Sequence, residues 1–278
     1  IDIYSYTNYR KLLADYYEQE KAKAPDKFSF RFFARRAGLT APNFLHLVIK
    51  GKRNLGYESI HRFARVLGLN KRETLFFEGL VLFNQSTDPQ EKSRAFEKVI
   101  SFREYRSSKK LLSEQYEYFS KWYCPVIREM VNLEDFREDP AWIARRLQPA
   151  ISRAEAEEAL KRLEQLKLIA RDSHGRLRQT DQNLTTEEEV ASAALMKFHQ
   201  EMIQHGLSSL KQPAAEREVS GLTMSLSSDQ FQQVKQKIRE FHREIQQLVA
   251  NNGHGSPKEI CQLNFQLFPL IQPQRSKS

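Results

Sequence analysis

The chain has 278 residues, of which 40% are apolar and 28% are charged, and its formal net charge at pH 7 is +9. These proportions are typical of a globular protein with enough material for two or three domains. No run of eighteen apolar residues is present, and the two cysteines are far apart. The sequence therefore argues against a membrane-spanning helix and against a disulfide framework, and a reducing cytoplasm is the expected location.

The positive charge is concentrated at one end of the chain. Residues 1–110 carry 22 Lys and Arg against 12 Asp and Glu, whereas residues 111–278 carry 22 against 23. A basic N-terminal region beside a nearly neutral remainder is typical of a nucleic-acid-binding head attached to a body with another role.

Residues 1–85 are predicted to form a five-helix domain. Apolar residues at helical spacing indicate the helices, Pro25 ends the first of them, Ser29 is suited to cap the second, and Gly38 is suited to end it. The predicted helices cover residues 9–23, 30–37, 42–49, 58–67 and 71–83.

The second and third predicted helices have the features of a helix-turn-helix. Ala34 is small enough for two helices to approach closely, and Gly38 tolerates the tight backbone of the turn. The helix after the turn would lie in the major groove of DNA, and the loop behind it would meet phosphates. The residues expected to contact DNA are Ser29 and Arg31 at the start of the second helix, Thr40, Asn43, His46 and Lys50 on the turn and third helix, and Lys52, Arg53 and Asn54 in the loop.

The stretch from Ser29 to Phe83 resembles the Cro/cI (Xre-type) helix-turn-helix domain. Ala34, Gly38, the GKRN sequence at 51–54 and the IHRFARVLGL sequence at 60–69 carry the resemblance. The interval from Gly38 to Gly51 is about one residue longer than the usual pattern, which leaves the register of the base-contacting residues open.

A second resemblance covers nearly the whole chain. It is similar to a paralogous family of helix-turn-helix regulators that is expanded in Fibrobacter and abundant in predatory bacteria. The matching stretches are YRKLLADYY at 9–17, SFRFFARRAGLTAPNFLHLVIKGKRNL at 29–55, GLVLFNQ at 79–85, VSGLTMSLS at 219–227 and LNFQLFPLI at 263–271. This resemblance implies a bacterial regulator with a C-terminal domain of undefined role.

A helical linker over 86–120 and a winged-helix-like unit over 121–185 are predicted next. The unit combines helices over 140–147 and from Ser152 onward with a hairpin that turns at 172–175. It could be a second DNA-binding unit, through Arg171, Arg176 and Arg178, or a packing or dimerisation unit. The acidic residues of its second helix favour packing, because carboxylates are repelled by phosphates; these are Glu155, Glu157 and Glu158.

Residues 186–271 are predicted to form an α/β unit for dimerisation or ligand sensing, before a polar tail over 272–278. Helices over 187–210 and 228–251 alternate with strands over 217–227 and 259–267. Two strands alone make a marginal sheet, so pairing across a homodimer is expected. A ligand site on the amide row Gln262, Asn264 and Gln266 is an alternative, but a solvated sheet face explains that row more simply.

No catalytic or metal-binding pattern is found in the sequence. HExxH, GxSxG, P-loop and GxGxxG motifs are absent. His199 and His205 are too far apart for one helical face, His254 lies in a Gly-Ser-rich loop, Cys124 has an apolar context, and 187–189 reads as an acidic first helical turn. We therefore expect neither an enzyme nor a cofactor.

The predicted fold class is mainly α, with the α/β unit at the C-terminus. The expected function is a sequence-specific, DNA-binding transcriptional regulator that acts as a homodimer and can respond to a small-molecule or protein signal through its C-terminal region. The partners would be double-stranded DNA and a second copy of the chain, with no membrane. The alternative is a non-enzymatic adaptor that uses the helix-turn-helix to bind protein or RNA.

Overall fold

The computed structural model describes residues 1–181, 188–251 and 257–271. The predicted tail over 272–278, Glu187 and His254 lie outside the described residues. The part described contains thirteen α-helices and one two-stranded hairpin, which confirms the mainly α class. The helices are α1 (Tyr9–Lys23), α2 (Phe30–Arg36), α3 (Phe44–Ile49), α4 (Tyr57–Leu67), α5 (Lys71–Gln85), α6 (Pro89–Ile100), α7 (Arg103–Ser108), α8 (Lys110–Ser120), α9 (Tyr123–Met130), α10 (Pro140–Arg146), α11 (Arg153–Gln165), α12 (Glu188–Ser209) and α13 (Ser228–Asn251).

Local signals in the sequence fix most of the helix ends. The side chains of Ser29, Asn70 and Ser152 accept hydrogen bonds from backbone amides in the first turns of α2, α5 and α11. At the other end of α2, Gly38 has a φ of +65°, and the amide of Leu39 donates to the carbonyl of Ala34 over 2.9 Å. This is the Schellman arrangement, and it turns the chain sharply from α2 toward α3.

The hydrophobic core of the first five helices continues beyond residue 85. Phe83 on α5 packs against Phe96 on α6, with ring centroids 4.5 Å apart, and Phe96 contacts Tyr116 on α8 at 4.8 Å. Val190 and Ala194 of α12 are fully buried in the same core. Helices α6 to α8 therefore pack as part of the N-terminal core. The domain boundaries predicted at residues 85, 120 and 185 stay predictions.

A second core is formed by α9, α10, α11 and the hairpin. Strand β1 (Ile169–Arg171) pairs antiparallel with β2 (Leu177–Gln179), and Gly175 in the connecting turn has a φ of +76°. Leu163, Ile169 and Leu177 are buried between the helices and the hairpin. The predicted order of helix, helix and hairpin is confirmed.

The strands predicted over 217–227 and 259–267 are not formed. Both segments are irregular, and neither pairs with a strand in the described ranges. The second segment is attached by individual contacts: the Asn264 side-chain amide donates to the Met202 carbonyl over 3.1 Å, and Phe265 lies 5.7 Å from Phe241 on α13. The α/β prediction is therefore wrong for the single chain, because alternating residues define a face but do not supply a partner strand.

Candidate nucleic-acid interface

The contact between α2 and α3 is built from small and aromatic residues. Ala34 is buried on α2, and Leu45 and Val48 are buried on α3. Helix α3 begins at Phe44 rather than at the predicted Pro42, because the amide of Phe44 donates to the carbonyl of Ala41 over 3.2 Å and closes a turn before the helix. The third helix is therefore short, with six residues.

All but one of the residues predicted to contact DNA are exposed. Eight of the nine are exposed, and Ser29 is half-buried because its hydroxyl accepts the amide of Phe32 over 3.2 Å. The exposed residues on α2, the turn and α3 are Arg31, Thr40, Asn43, His46 and Lys50, and those in the following loop are Lys52, Arg53 and Asn54. The exposed side chains are available to a ligand, and their role in DNA binding stays a prediction.

The orientation of His46 is set by an aromatic stack. The rings of Tyr17 and Phe30 are parallel, with centroids 3.9 Å apart, and the imidazole of His46 meets the Phe30 ring edge-on at 5.1 Å. Such contacts restrict the rotamers of an exposed ring. His46 is therefore presented at the surface in a fixed direction.

Arg10 of α1 holds the loop that follows α3. Its guanidinium donates to the carbonyl of Val48, to the carbonyl of Arg53 over 2.9 Å and to the side-chain oxygen of Asn54 over 2.7 Å. The side-chain NH2 of Asn54 keeps its donor capacity for a ligand. Sequence reasoning did not find this residue, because the contact joins positions about forty residues apart and no local pattern marks it.

Gln85, the last residue of α5, fixes the same loop from behind. Its side-chain oxygen accepts the Leu55 amide over 2.7 Å and the Tyr9 hydroxyl over 2.6 Å, and its amide donates to the Leu55 carbonyl over 3.0 Å. Burial raises the pKa of Tyr9 to about 12, so this hydroxyl remains a donor at neutral pH. The loop therefore rests on a polar clamp made by the first and fifth helices.

The basic side chains of this surface form no ion pair with the part of the chain that the structure describes. Within the described ranges, no carboxylate lies at ion-pair distance from Arg31, Lys50, Lys52 or Arg53. Cations without intramolecular partners are available to neutralise phosphates.

The arginines of the winged-helix-like unit, in contrast, form ion pairs within the protein. Arg171 pairs with Glu138 at 2.5 Å, while Arg176 and Arg178 both pair with Asp172, at 3.4 and 3.3 Å. Hydrogen bonds from the Arg176 amide and from neighbouring donors hold the pKa of the Asp172 carboxyl below its ordinary value. These internal pairs are in keeping with the packing role that the acidic residues of α11 favour.

An ionic cluster around one buried arginine joins the middle unit to α8. Arg162 on α11 is 4% exposed and contacts Glu114 at 2.9 Å, Glu158 at 3.0 Å and Glu117. Nearby, burial raises the pKa of the Cys124 thiol to about 11, so Cys124 is a neutral core residue at physiological pH. The cluster joins α11 to α8, and all of its members have partners.

Sets of metal-ligating side chains and apolar helices of bilayer length are both absent from residues 1–181, 188–251 and 257–271. In those ranges no set of three or more His, Cys, Asp or Glu side chains is placed to hold a metal ion. No helix among them combines the length and apolarity needed to cross a bilayer.

Comparison with known proteins identifies the C-terminal part of the chain. Residues 102–270 match the family described as a domain of unknown function, DUF4423. The chain belongs to this family. The DUF4423 match begins just before α7 and includes the middle unit, α12 and α13, while the α1–α6 region with the candidate interface lies outside it. No curated protein and no solved structure matches this DUF4423 chain.

Proposed function

We propose that this DUF4423 protein is a sequence-specific DNA-binding transcriptional regulator that acts as a homodimer. The observation that carries the proposal is the exposed surface of α3 and its following loop, which is basic, has no ion pair to any carboxylate of the described residues, and is fixed from behind by Arg10 and Gln85. A short helix with polar and basic outer residues fits the major groove, and the loop cations fit the adjacent phosphates.

Each group of residues has a distinct role in this proposal. Asn43 and His46 face outward near the start of α3, where amide and imidazole groups can read base edges. Lys52 and Arg53 lie in the loop, where they would bind phosphates without reading sequence. Ser29 and Arg31, at the start of α2, would contact a further phosphate.

Selection of bound fragments from sheared genomic DNA by the purified protein tests the proposal. The expected result is enrichment of a shared, roughly two-fold symmetric motif. Asn43→Ala with His46→Ala should remove the preference for that motif. Arg53→Ala should weaken binding to all sequences alike and lower the salt slope by about one unit. Arg94→Ala, an exposed arginine on α6, is the matched control and should leave the slope unchanged.

The homodimer is supported by the exposed apolar surface of the C-terminal region. Phe241 on α13 is 45% exposed, and Leu222 and Ile271 on the two extended segments are 79% and 84% exposed. Apolar surface of this extent is usually covered by a partner. A second copy of the chain would supply both apolar surface and neighbouring strands for the two unpaired segments.

Light scattering at micromolar concentration tests the dimer. The wild type should have twice the mass of one chain, and Phe241→Glu should shift it toward the monomer because a charge would be buried in the interface. Gln232→Glu adds the same charge at an exposed polar position of α13 and should keep the dimer. A wild-type monomer at this concentration contradicts the dimer.

The same apolar surface supports a second candidate function, a non-enzymatic adaptor. In that case the helix-turn-helix would bind protein or RNA, and the C-terminal surface would bind a further partner. A folded protein that enriches no DNA and forms a complex insensitive to salt would favour the adaptor.

A further inference from the structure

A basic groove of about 470 Å³ lies outside the predicted DNA-contacting residues. It is bounded by the C-terminal end of α2, by the turn at Gly38 and by one face of α4. The positively charged side chains of the groove are Arg35 and Arg36 from α2 and Arg62 and Arg65 from α4, with His61 beside them.

One of these arginines, Arg62, is held by two hydrogen bonds within the protein. Arg62 donates to the carbonyl of Gly38 over 2.7 Å and to the carboxylate of Glu58 over 2.6 Å. The first bond ties α4 to the turn before α3, and the second pairs the guanidinium with a carboxylate on the same helix. Arg62 is therefore held in place and joins the groove to the helix-turn-helix.

The other three arginines have no such partners. Arg35, Arg36 and Arg65 are exposed, and no carboxylate in the described part of the chain pairs with them. Since Glu58 neutralises Arg62, the groove carries about three uncompensated positive charges at close quarters. Like charges at this spacing repel each other, and a ligand with several negative oxygens would relieve the repulsion.

From this arrangement we propose that the groove binds phosphate groups. Guanidinium forks match phosphate oxygens in pairs, and several forks around one concave surface suit a ligand with more than one phosphate. Two sources share this chemistry, the backbone of DNA beside the half-site and a phosphorylated small molecule.

The position of the groove favours the DNA backbone, and this assignment rests on the function proposed above. Gly38, which borders the groove, is two residues from Thr40 on the turn, a span of at most about 7 Å. A duplex held on α3 would thus have its flanking phosphates near Arg35 and Arg65. The groove would lengthen the stretch of DNA that the protein contacts without adding sequence preference.

The test compares two double variants of the full-length protein. Arg35→Ala with Arg65→Ala removes two groove charges, whereas Arg94→Ala with Arg103→Ala removes two exposed charges from α6 and α7. Affinity for a mixed-sequence 30-base-pair duplex (a length of about 30 is enough to cover the footprint and its flanks) is measured from low to moderate salt. Binding of inorganic pyrophosphate is measured by calorimetry.

The expected result is a salt slope that falls by about 1.8 in the groove variant and is unchanged in the control. If the slopes of both variants stay at the wild-type value, but pyrophosphate binds the wild type and not the groove variant, the phosphates belong to a small molecule. Equal slopes together with no pyrophosphate binding overturn the proposal and leave an acidic protein surface as the ligand. If the wild type binds no DNA, the proposed function fails, and the pyrophosphate measurement alone decides the groove.

Discussion

The α2–α3 region and the winged-helix-like unit both carry arginines on exposed elements, yet these arginines have different partners. In the loop after α3, Arg53 has no carboxylate partner within the described ranges. In the hairpin, Arg171 and Arg178 are paired with Glu138 and Asp172. The number of arginines in a unit therefore does not predict phosphate binding, because carboxylates of the same protein can already neutralise them.

The largest expected effect concerns the ionic cluster around Arg162. Arg162→Ala should lower the free energy of unfolding by about 3–5 kcal/mol, because it leaves Glu114 without its buried cation and leaves Glu117 to the half-exposed Arg106 at 3.6 Å. Urea denaturation followed by circular dichroism measures the change. Lys161→Ala, which breaks an exposed pair on the same helix, should change stability by less than about 1 kcal/mol. Similar losses in both variants would contradict a structural role for the cluster.

The next effect tests the polar clamp behind the candidate interface. Gln85→Ala removes the partner of the Leu55 amide, the Leu55 carbonyl and the Tyr9 hydroxyl, and should destabilise the protein by about 2 kcal/mol. Thermal unfolding measures it, and Gln19→Ala on the exposed face of α1 serves as control. If the clamp orders the loop, amide exchange at residues 52–55 should also become faster.

A smaller effect should be seen at alkaline pH. The pKa of Tyr9 is raised from 10.0 to about 12, so its contribution to stability is complete below pH 10 and is lost as the pH rises through 12. Between pH 9 and 11 the wild type should lose about 1 kcal/mol more than Tyr9→Phe, which cannot ionise. Denaturant curves at several pH values measure the difference, and parallel losses in the two proteins would show that Tyr9 is not the group responsible.

The smallest expected effect concerns the two hairpin arginines that pair with Asp172. Arg176→Ala with Arg178→Ala should change DNA affinity by less than about twofold, because both side chains are already paired with Asp172. The measurement is the same duplex titration over salt. A slope reduced by about two units would mean that the hairpin gives up its internal pairs to bind phosphate, and that the chain has two DNA-binding units.

Much of the helical framework could be predicted from local residues. The capping side chain of Ser29 and the turn glycine Gly38 act within a few positions of themselves, and the structure places the helix ends accordingly. The hairpin turn at Gly175 was predictable for the same reason. Features with local causes can be read from one stretch of sequence at a time.

The parts that escaped prediction depend on distant partners. The clamps made by Arg10 and Gln85 join positions separated by 30 to 76 residues, so no local pattern marks them. The groove arises where α4 comes to lie beside the end of α2, which only the fold reveals. The C-terminal strands were predicted wrongly because strand sequence does not state whether a neighbouring strand exists.

The burial of α12 in the N-terminal core has a consequence for how the protein is made. Val190 and Ala194 are buried in the N-terminal core, whose other residues all lie before about residue 119. That core therefore stays incomplete until about 75 further residues have left the ribosome. At about 5–20 residues per second this is a delay of roughly 4–15 seconds. During synthesis the packing around α6 and α8 is therefore completed only when α12 has been made, and a chain terminated before α12 would lack the residues that cover these two helices.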